Sequence, residues 1–268
     1  MNNKMKIKNK SPPKIVWFCG SYDGTPQDGA EFTYRLYHKF KGKGIKLCLV
    51  TYFREQQQLL RQKSLNSVYL PGEKEKFKVM NIEEELRELE LKYGFCAERI
   101  LMGDPDYSDS VPRDKAFADL IKYFHAWEEL LEREKPDLIF GGDNRFGNLV
   151  PYYVSKHEKI LYEIMYFSAV VPDSFIITQD KDGRMTELEE YWKKHLNKPL
   201  NQKERQTVEE YLRKFREKQD KPPMIDTRPT LNLDKIKYAL KMSRTALFVE
   251  RNDTPYLKPW RGIKSYLL

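Results

Sequence analysis

The chain has 268 residues, 40% of them apolar and 33% charged, with 17 Tyr, 14 Phe and 4 Trp. So many large side chains exclude a disordered chain, and the length allows one large domain or two small ones around a sizeable core. The formal net charge of +8 points to an anionic partner of some kind: nucleic acid, an acidic membrane surface or anionic substrates.

Part of the charge is local, because Lys4, Lys6, Lys8, Lys10 and Lys14 fall within residues 1–14, read as a flexible basic arm. Such an arm is either a solvated tail or a polybasic segment drawn to acidic headgroups. It has no apolar core of the signal-peptide kind, and no stretch approaches the roughly 18 apolar residues of a membrane span. A cytoplasmic protein is expected, with peripheral contact at the inner membrane face left open. Cys19, Cys48 and Cys96 are odd in number and lack CxxC or Cys/His ligand spacing. No disulfide framework, metal or cofactor is therefore expected.

Ile15–Cys19 is a short continuous apolar run bounded by proline and glycine, the pattern of a strand buried on both faces. The loop Gly20–Gly29 follows, and then a helical stripe of Phe32, Leu36, Tyr37 and Phe40. Gly42-Lys43-Gly44 ends that helix, and Ile45–Thr51 is the next strand. Glu55–Lys63 predicts a helix, Ser67–Leu70 a short strand, and Asn81–Tyr93 a helix capped by Asn81. A long helix over Asp114–Glu134 buries Phe117, Leu120, Ile121, Phe124, Trp127 and Leu131.

Pro136–Phe140 is again a buried strand, followed by the glycine-rich loop Gly141–Gly147. A helix near Leu149–His157, an apolar run at Ile160–Phe167 and a short strand at Ser174–Thr178 complete the alternation. Thr186 with Glu189, and Asn201 with Glu204, have capping-box spacing. They open two charged helices, about Thr186–Leu196 and Asn201–Asp220, the second ended by Lys221-Pro222-Pro223. Residues 232–243 fit one more helix. Strands alternating with helices predict a three-layer, Rossmann-like α/β fold with a mostly parallel, doubly wound sheet. Residues 15–185 would form it, a helical hairpin over 186–225 would pack on it, and 226–268 would be a tail or linker.

Ligands of such sheets bind at the carboxyl ends of strands, which directs attention to the two polar loops. Gly20, Ser21, Asp23 and Gly24 lie in the first, where glycines let backbone amides approach an anion ahead of a helix. The spacing matches neither GxGxxG nor a P-loop, and a simple turn explains the glycines equally well. Asp143, Asn144, Arg145 and Phe146 in the second can bond sugar hydroxyls, pair a phosphate and stack on a pyranose ring. Alternatively, Asp143 caps the next helix and Arg145 pairs with a neighbouring acid. Glu163 sits inside an apolar run, where it is either a buried carboxylate suited to general-base work or a solvent-facing edge residue. Asp104, Asp106 and Asp109 lack calcium-loop spacing, and His38, His125, His157 and His195 are scattered.

Taken in order, DGAEFTYRLYHKFKGKGIKLCLVTYF resembles the opening of GT-B glycosyltransferases. The stretch from EREKPDLIFGGDNRFG to FIITQDKDGRM is similar to capsular and surface-polysaccharide biosynthesis proteins, with Pro136-Asp137, Glu163, Pro172, Ser174 and Gly183 in the corresponding places. YWKKHLNKPLNQKERQTVEEYLRKFREKQDKPP resembles the helical hairpin that ends their N-terminal domain. The likeness spans roughly residues 15–225.

It implies sugar transfer from a nucleotide-sugar donor to a glycan acceptor in polysaccharide biosynthesis. Glu163 and Asp143 would be the catalytic residues, and the two loops would supply the substrate contacts. Only about forty residues follow Pro223, too few for the second Rossmann domain of a GT-B enzyme. A second domain or chain is therefore an expected partner, and a non-catalytic glycan- or partner-binding module is the rival reading. Nucleic acid is not expected, since no RNP motif, zinc signature or basic recognition helix occurs.

Overall fold

The computed structural model of the protein describes residues 12–19, 26–103, 111–141, 146–167, 175–180 and 184–218. The first half runs β1 (Lys14–Phe18), α1 (Pro26–Lys41), β2 (Lys46–Thr51), α2 (Arg54–Gln62) and β3 (Ser67–Tyr69). Helices α3 (Leu70–Lys74), α4 (Ile82–Tyr93), α5 (Ala97–Met102) and α6 (Arg113–Glu134) carry the chain across the sheet. The second half is β4 (Leu138–Gly141), α7 (Phe146–His157), β5 (Leu161–Phe167), β6 (Phe175–Thr178), α8 (Thr186–His195) and α9 (Gln202–Lys218).

The six strands form one sheet in the order β3-β2-β1-β4-β5-β6. β1 to β5 are parallel, and β6 turns back antiparallel on β5. Helices cover both faces, so the protein has the expected doubly wound α/β architecture. Alternation along β1 divides the core. Val16 and Phe18 join Val50, Ile139, Tyr162 and Ile164 under the α4, α6 and α7 layer, while Trp17 and Cys19 join Leu49, Met165, Ala30 and Leu60 under α1 and α2. Both faces of β1 are buried, as its continuous apolar run predicts.

The long helix α6 buries all six residues of its predicted stripe. Asn81 caps α4 by accepting the Glu84 amide at 3.3 Å, and Gly44 at φ +73° makes the turn after α1. Asn201 and Glu204 exchange the two bonds of a capping box, each 2.9 Å.

Several local expectations change. On α1 the buried positions are Gly29, Ala30 and Thr33; of the expected stripe Leu36 and Tyr37 pack, partly buried, against the cluster of Trp17 and Cys19, while Phe32 is the more exposed. Thr186 is the first residue inside α8, not its cap; Met185 occupies the cap and makes no side-chain bond there. Leu70 leaves β3 to begin α3, since Pro71 favours a helix start. The proposed end of the last helix at Lys221–Pro223, the helix at 232–243 and Asp104, Asp106 and Asp109 lie outside the described residues.

Candidate functional site

Strand order reverses between β1 and β4: from β1 the chain first adds strands on one side, then crosses to begin β4 on the other. The crevice at the carboxyl ends of strands flanking such a reversal is where open α/β sheets bind ligands. β1 and β4 are hydrogen-bonded in parallel, with Trp17 opposite Phe140, so both strands end at one edge of the sheet. β1 ends at Phe18 and β4 at Gly141, the points in the chain just before the two polar segments singled out from the sequence.

The described residues around the edge are tightly tied. Tyr52, directly after β2, donates its hydroxyl to the carbonyl of Gly147 in the first turn of α7. β2 and β4 flank β1, so this bond spans the end of β1, and the Tyr52 ring lies 4.8 Å from that of Phe18. A Cβ on Gly147 would meet the Tyr52 ring at 2.7 Å, so the approach requires glycine. On the opposite face, Gln27 in the first turn of α1 donates to Glu55 in the first turn of α2 at 2.7 Å. Thr51, the last residue of β2, donates to Gln56 at 2.6 Å. The starts of α1, α2 and α7 thus surround the end of β1, and helix starts present unpaired backbone amides that favour anions.

Beneath the rim, the largely buried ammonium of Lys74 pairs with Asp119 at 2.8 Å and lies 4.9 Å from the centre of the Tyr123 ring. Tyr123 in turn packs 5.7 Å from Tyr52. Cys19, at the end of β1, is fully enclosed, and burial pushes its thiol up to about 12, which makes it a small apolar core group rather than a nucleophile.

Glu163 is the predicted catalytic residue whose surroundings are described. It stands opposite Phe140, which stands opposite Trp17, so the three form one row across the sheet just below the carboxyl end of β4. It is half-buried, and Gln179, just after β6, donates to it at 3.0 Å. Gly20, Ser21, Asp23, Gly24, Asp143, Asn144 and Arg145 lie outside the described residues, as does the side chain of Phe146, the first residue of α7.

Sequence reasoning missed Tyr52, Lys74 and Asp119, and read Gly147 only as the end of the loop Gly141–Gly147, not as a contact of Tyr52. No motif marks them; the one available signal was the position of Tyr52 immediately after a strand's carboxyl end.

No model of a known protein family matches the chain, and no curated protein matches its sequence at a significant level. Fold and site geometry therefore carry the functional argument.

The opposite edge of the sheet holds a different arrangement. An open groove of about 670 Å³ is lined by Lys92, Glu128, Lys135, Val154, Glu158 and neighbouring residues near the amino ends of β4 and β5. Glu128 accepts from Lys92 at 2.6 Å and from the Tyr93 hydroxyl, and bonds His125 at 2.9 Å. Burial would raise this carboxyl, but the three partners outweigh it and hold Glu128 down at about 2. The bond to Glu128 also raises the His125 imidazole, against a smaller opposing effect of burial. Each of these groups already has a partner, so the network reads as a structural tie between α4 and α6. Among the described residues, no group of three or more His, Cys, Asp and Glu side chains is placed to hold a metal ion. No described helix is long and apolar enough to cross a membrane.

Proposed function

We propose that the carboxyl edge at β1 and β4 receives a nucleotide sugar and that the protein transfers or positions its sugar on a glycan acceptor during surface or capsular polysaccharide biosynthesis. The observation that supports this reading is the reversal of strand order between β1 and β4, whose carboxyl ends, from which the two polar segments set out, lie together beside the starts of three helices. Backbone amides at those starts and the guanidinium of Arg145 suit a diphosphate. Asn144 and Phe146 suit a sugar's hydroxyls and apolar face. In such a transfer the acceptor hydroxyl loses its proton to a carboxylate, and the departing nucleotide phosphate is stabilised by cations or helix dipoles. Glu163 and Asp143 are the candidate carboxylates. Gly20, Ser21, Asp23 and Gly24 line the donor or acceptor side, and a second nucleotide-binding domain or chain would complete the donor pocket.

The test is calorimetric titration with a panel of nucleoside-diphosphate sugars, alongside an assay for nucleoside diphosphate release. Arg145→Ala is expected to weaken donor binding at least about tenfold, the effect of removing a charged hydrogen bond. Glu163→Gln should bind donor normally and lose turnover. Tight binding without release by the unmodified protein would make it a sugar-binding module. Failure to bind any member of the panel would end the proposal.

A further inference from the structure

The apolar side chains of α8 and of the turn that follows it face solvent. Leu188, Tyr191, Trp192 and Leu196 fall on one side of the helix by their spacing, and each is more than half exposed, Trp192 at 63%. Leu200, in the connection to α9, is 48% exposed. Grouped on one side of the helix and the turn after it, these side chains form an exposed apolar patch of the kind that marks an interaction surface.

Charge is segregated along this stretch: Glu187, Glu189 and Glu190 lie in the first turns of α8 and Glu204 opens α9, whereas residues 191–203 between them contain Lys193, Lys194, Lys198 and Lys203 and no acid. Tryptophan, tyrosine and leucine beside a ring of lysines is the chemistry of an interfacial membrane anchor. The aromatic rings sit at headgroup depth, the leucines reach the acyl boundary, and the ammonium groups pair with acidic headgroups. A protein partner with an acidic, apolar face is the rival occupant, and it would show in the test below as no binding to acidic vesicles.

We infer that the turn between α8 and α9, with Trp192, Leu196 and Leu200 flanked by Lys193, Lys194, Lys198 and Lys203, docks the protein on an anionic lipid surface. These residues are distinct in sequence from the lysines of residues 1–14, and the inference stands whether or not the sheet edge binds a nucleotide sugar.

The test is co-sedimentation of the full chain with vesicles of phosphatidylcholine alone and of phosphatidylcholine containing about a third phosphatidylglycerol, at low and at physiological salt. Binding is expected only with the acidic lipid and should weaken as salt rises. The exposed positions allow substitution without loss of fold. Trp192→Ser/Leu196→Ser, and separately Lys193→Gln/Lys194→Gln/Lys198→Gln, should each weaken binding about tenfold or more while leaving far-ultraviolet dichroism unchanged. Lys4→Gln/Lys6→Gln/Lys8→Gln/Lys10→Gln controls for the arm and should retain binding. Any of three results overturns the proposal: no binding to acidic vesicles, equal binding to neutral ones, or loss in the arm variant with none in the two α8 variants. A patch closed by residues 219–268 or by a second copy of the chain would appear as the first of these.

Discussion

Tyr52 supplies the hydrogen bond that Pro151 cannot. In a regular helix the carbonyl of Gly147 would accept the amide of the residue four positions on, but that residue is proline and has no N–H. The hydroxyl of Tyr52, 95 residues away in sequence, fills the vacancy from the end of β2. A break in one helix thereby becomes the clasp that fixes its start over β1. Burial pushes the Tyr52 phenol well above its ordinary range, so it keeps its proton and remains a donor at any physiological pH.

Tyr52→Phe keeps the ring and removes the donor, leaving a buried carbonyl unpaired. The expected loss is about 1–3 kcal/mol in urea unfolding. Gly147→Ala, whose new Cβ would strike the same ring, should cost about 1–3 kcal/mol and loosen the site rim. Unchanged stability in both variants would remove the clasp from the account.

The pair formed by Lys74 and Asp119 is largely withdrawn from water, with side-chain exposures of 11% and 13%. Lys74→Met leaves Asp119 without its main cation and should destabilise by about 3–5 kcal/mol. Adding Asp119→Leu should recover much of that loss, because no buried charge then remains. Additive losses in thermal unfolding of the double variant would contradict this.

His125 and Glu128 give the fold a defined response to pH. The folded imidazole is raised above its unfolded value, so its contribution is complete below the ordinary histidine range and fades as pH climbs through the raised value. Glu128 is depressed to about 2, so its contribution holds above the unfolded carboxylate value near 4.5 and fades as pH falls toward 2. Urea unfolding between pH 5.5 and 8.5 should show declining stability on the alkaline side, and His125→Gln should flatten that decline. A parallel slope in the variant would assign the effect elsewhere.

The thiols of Cys19 and Cys48 are each pushed up to about 12, chiefly by burial, while Cys96 is exposed. Iodoacetamide at pH 8 should therefore modify Cys96 in the native protein and leave the other two until urea unfolds it. Mass spectrometry of the labelled peptides reads the outcome.

β1 was legible because it is buried on both faces and so reads as an unbroken apolar run, and β4 because its short apolar run, buried at Ile139 and Gly141, is bounded by proline and glycine. The stripe on α6 was legible because ten of its residues are buried and the helical period repeats over six turns. The phase of α1 was legible only in part: Leu36 and Tyr37 pack on the core as expected, but its buried positions are Gly29, Ala30 and Thr33, small residues that give no strong apolar signal. The capping pair at Asn201 formed, and the equally well-spaced pair at Thr186 did not. Spacing fixes which residues can meet, while the entry angle of the chain decides whether they do. The row that holds Glu163 follows from strand register alone. Its bond to Gln179 depends on the antiparallel return of β6, which no local pattern announces.

The same strand order sets the timetable of folding. β1 is bordered by β2 early in the chain, but its other border, β4, begins only after Asp137, which bonds the Lys14 amide across 123 residues of sequence. During synthesis the central strand therefore waits, half-paired, while α3 to α6 are still being made. Pairings so remote in sequence form slowly and leave sticky edges open in the meantime. Slowing translation between β3 and β4 would lengthen the window in which that open edge can aggregate.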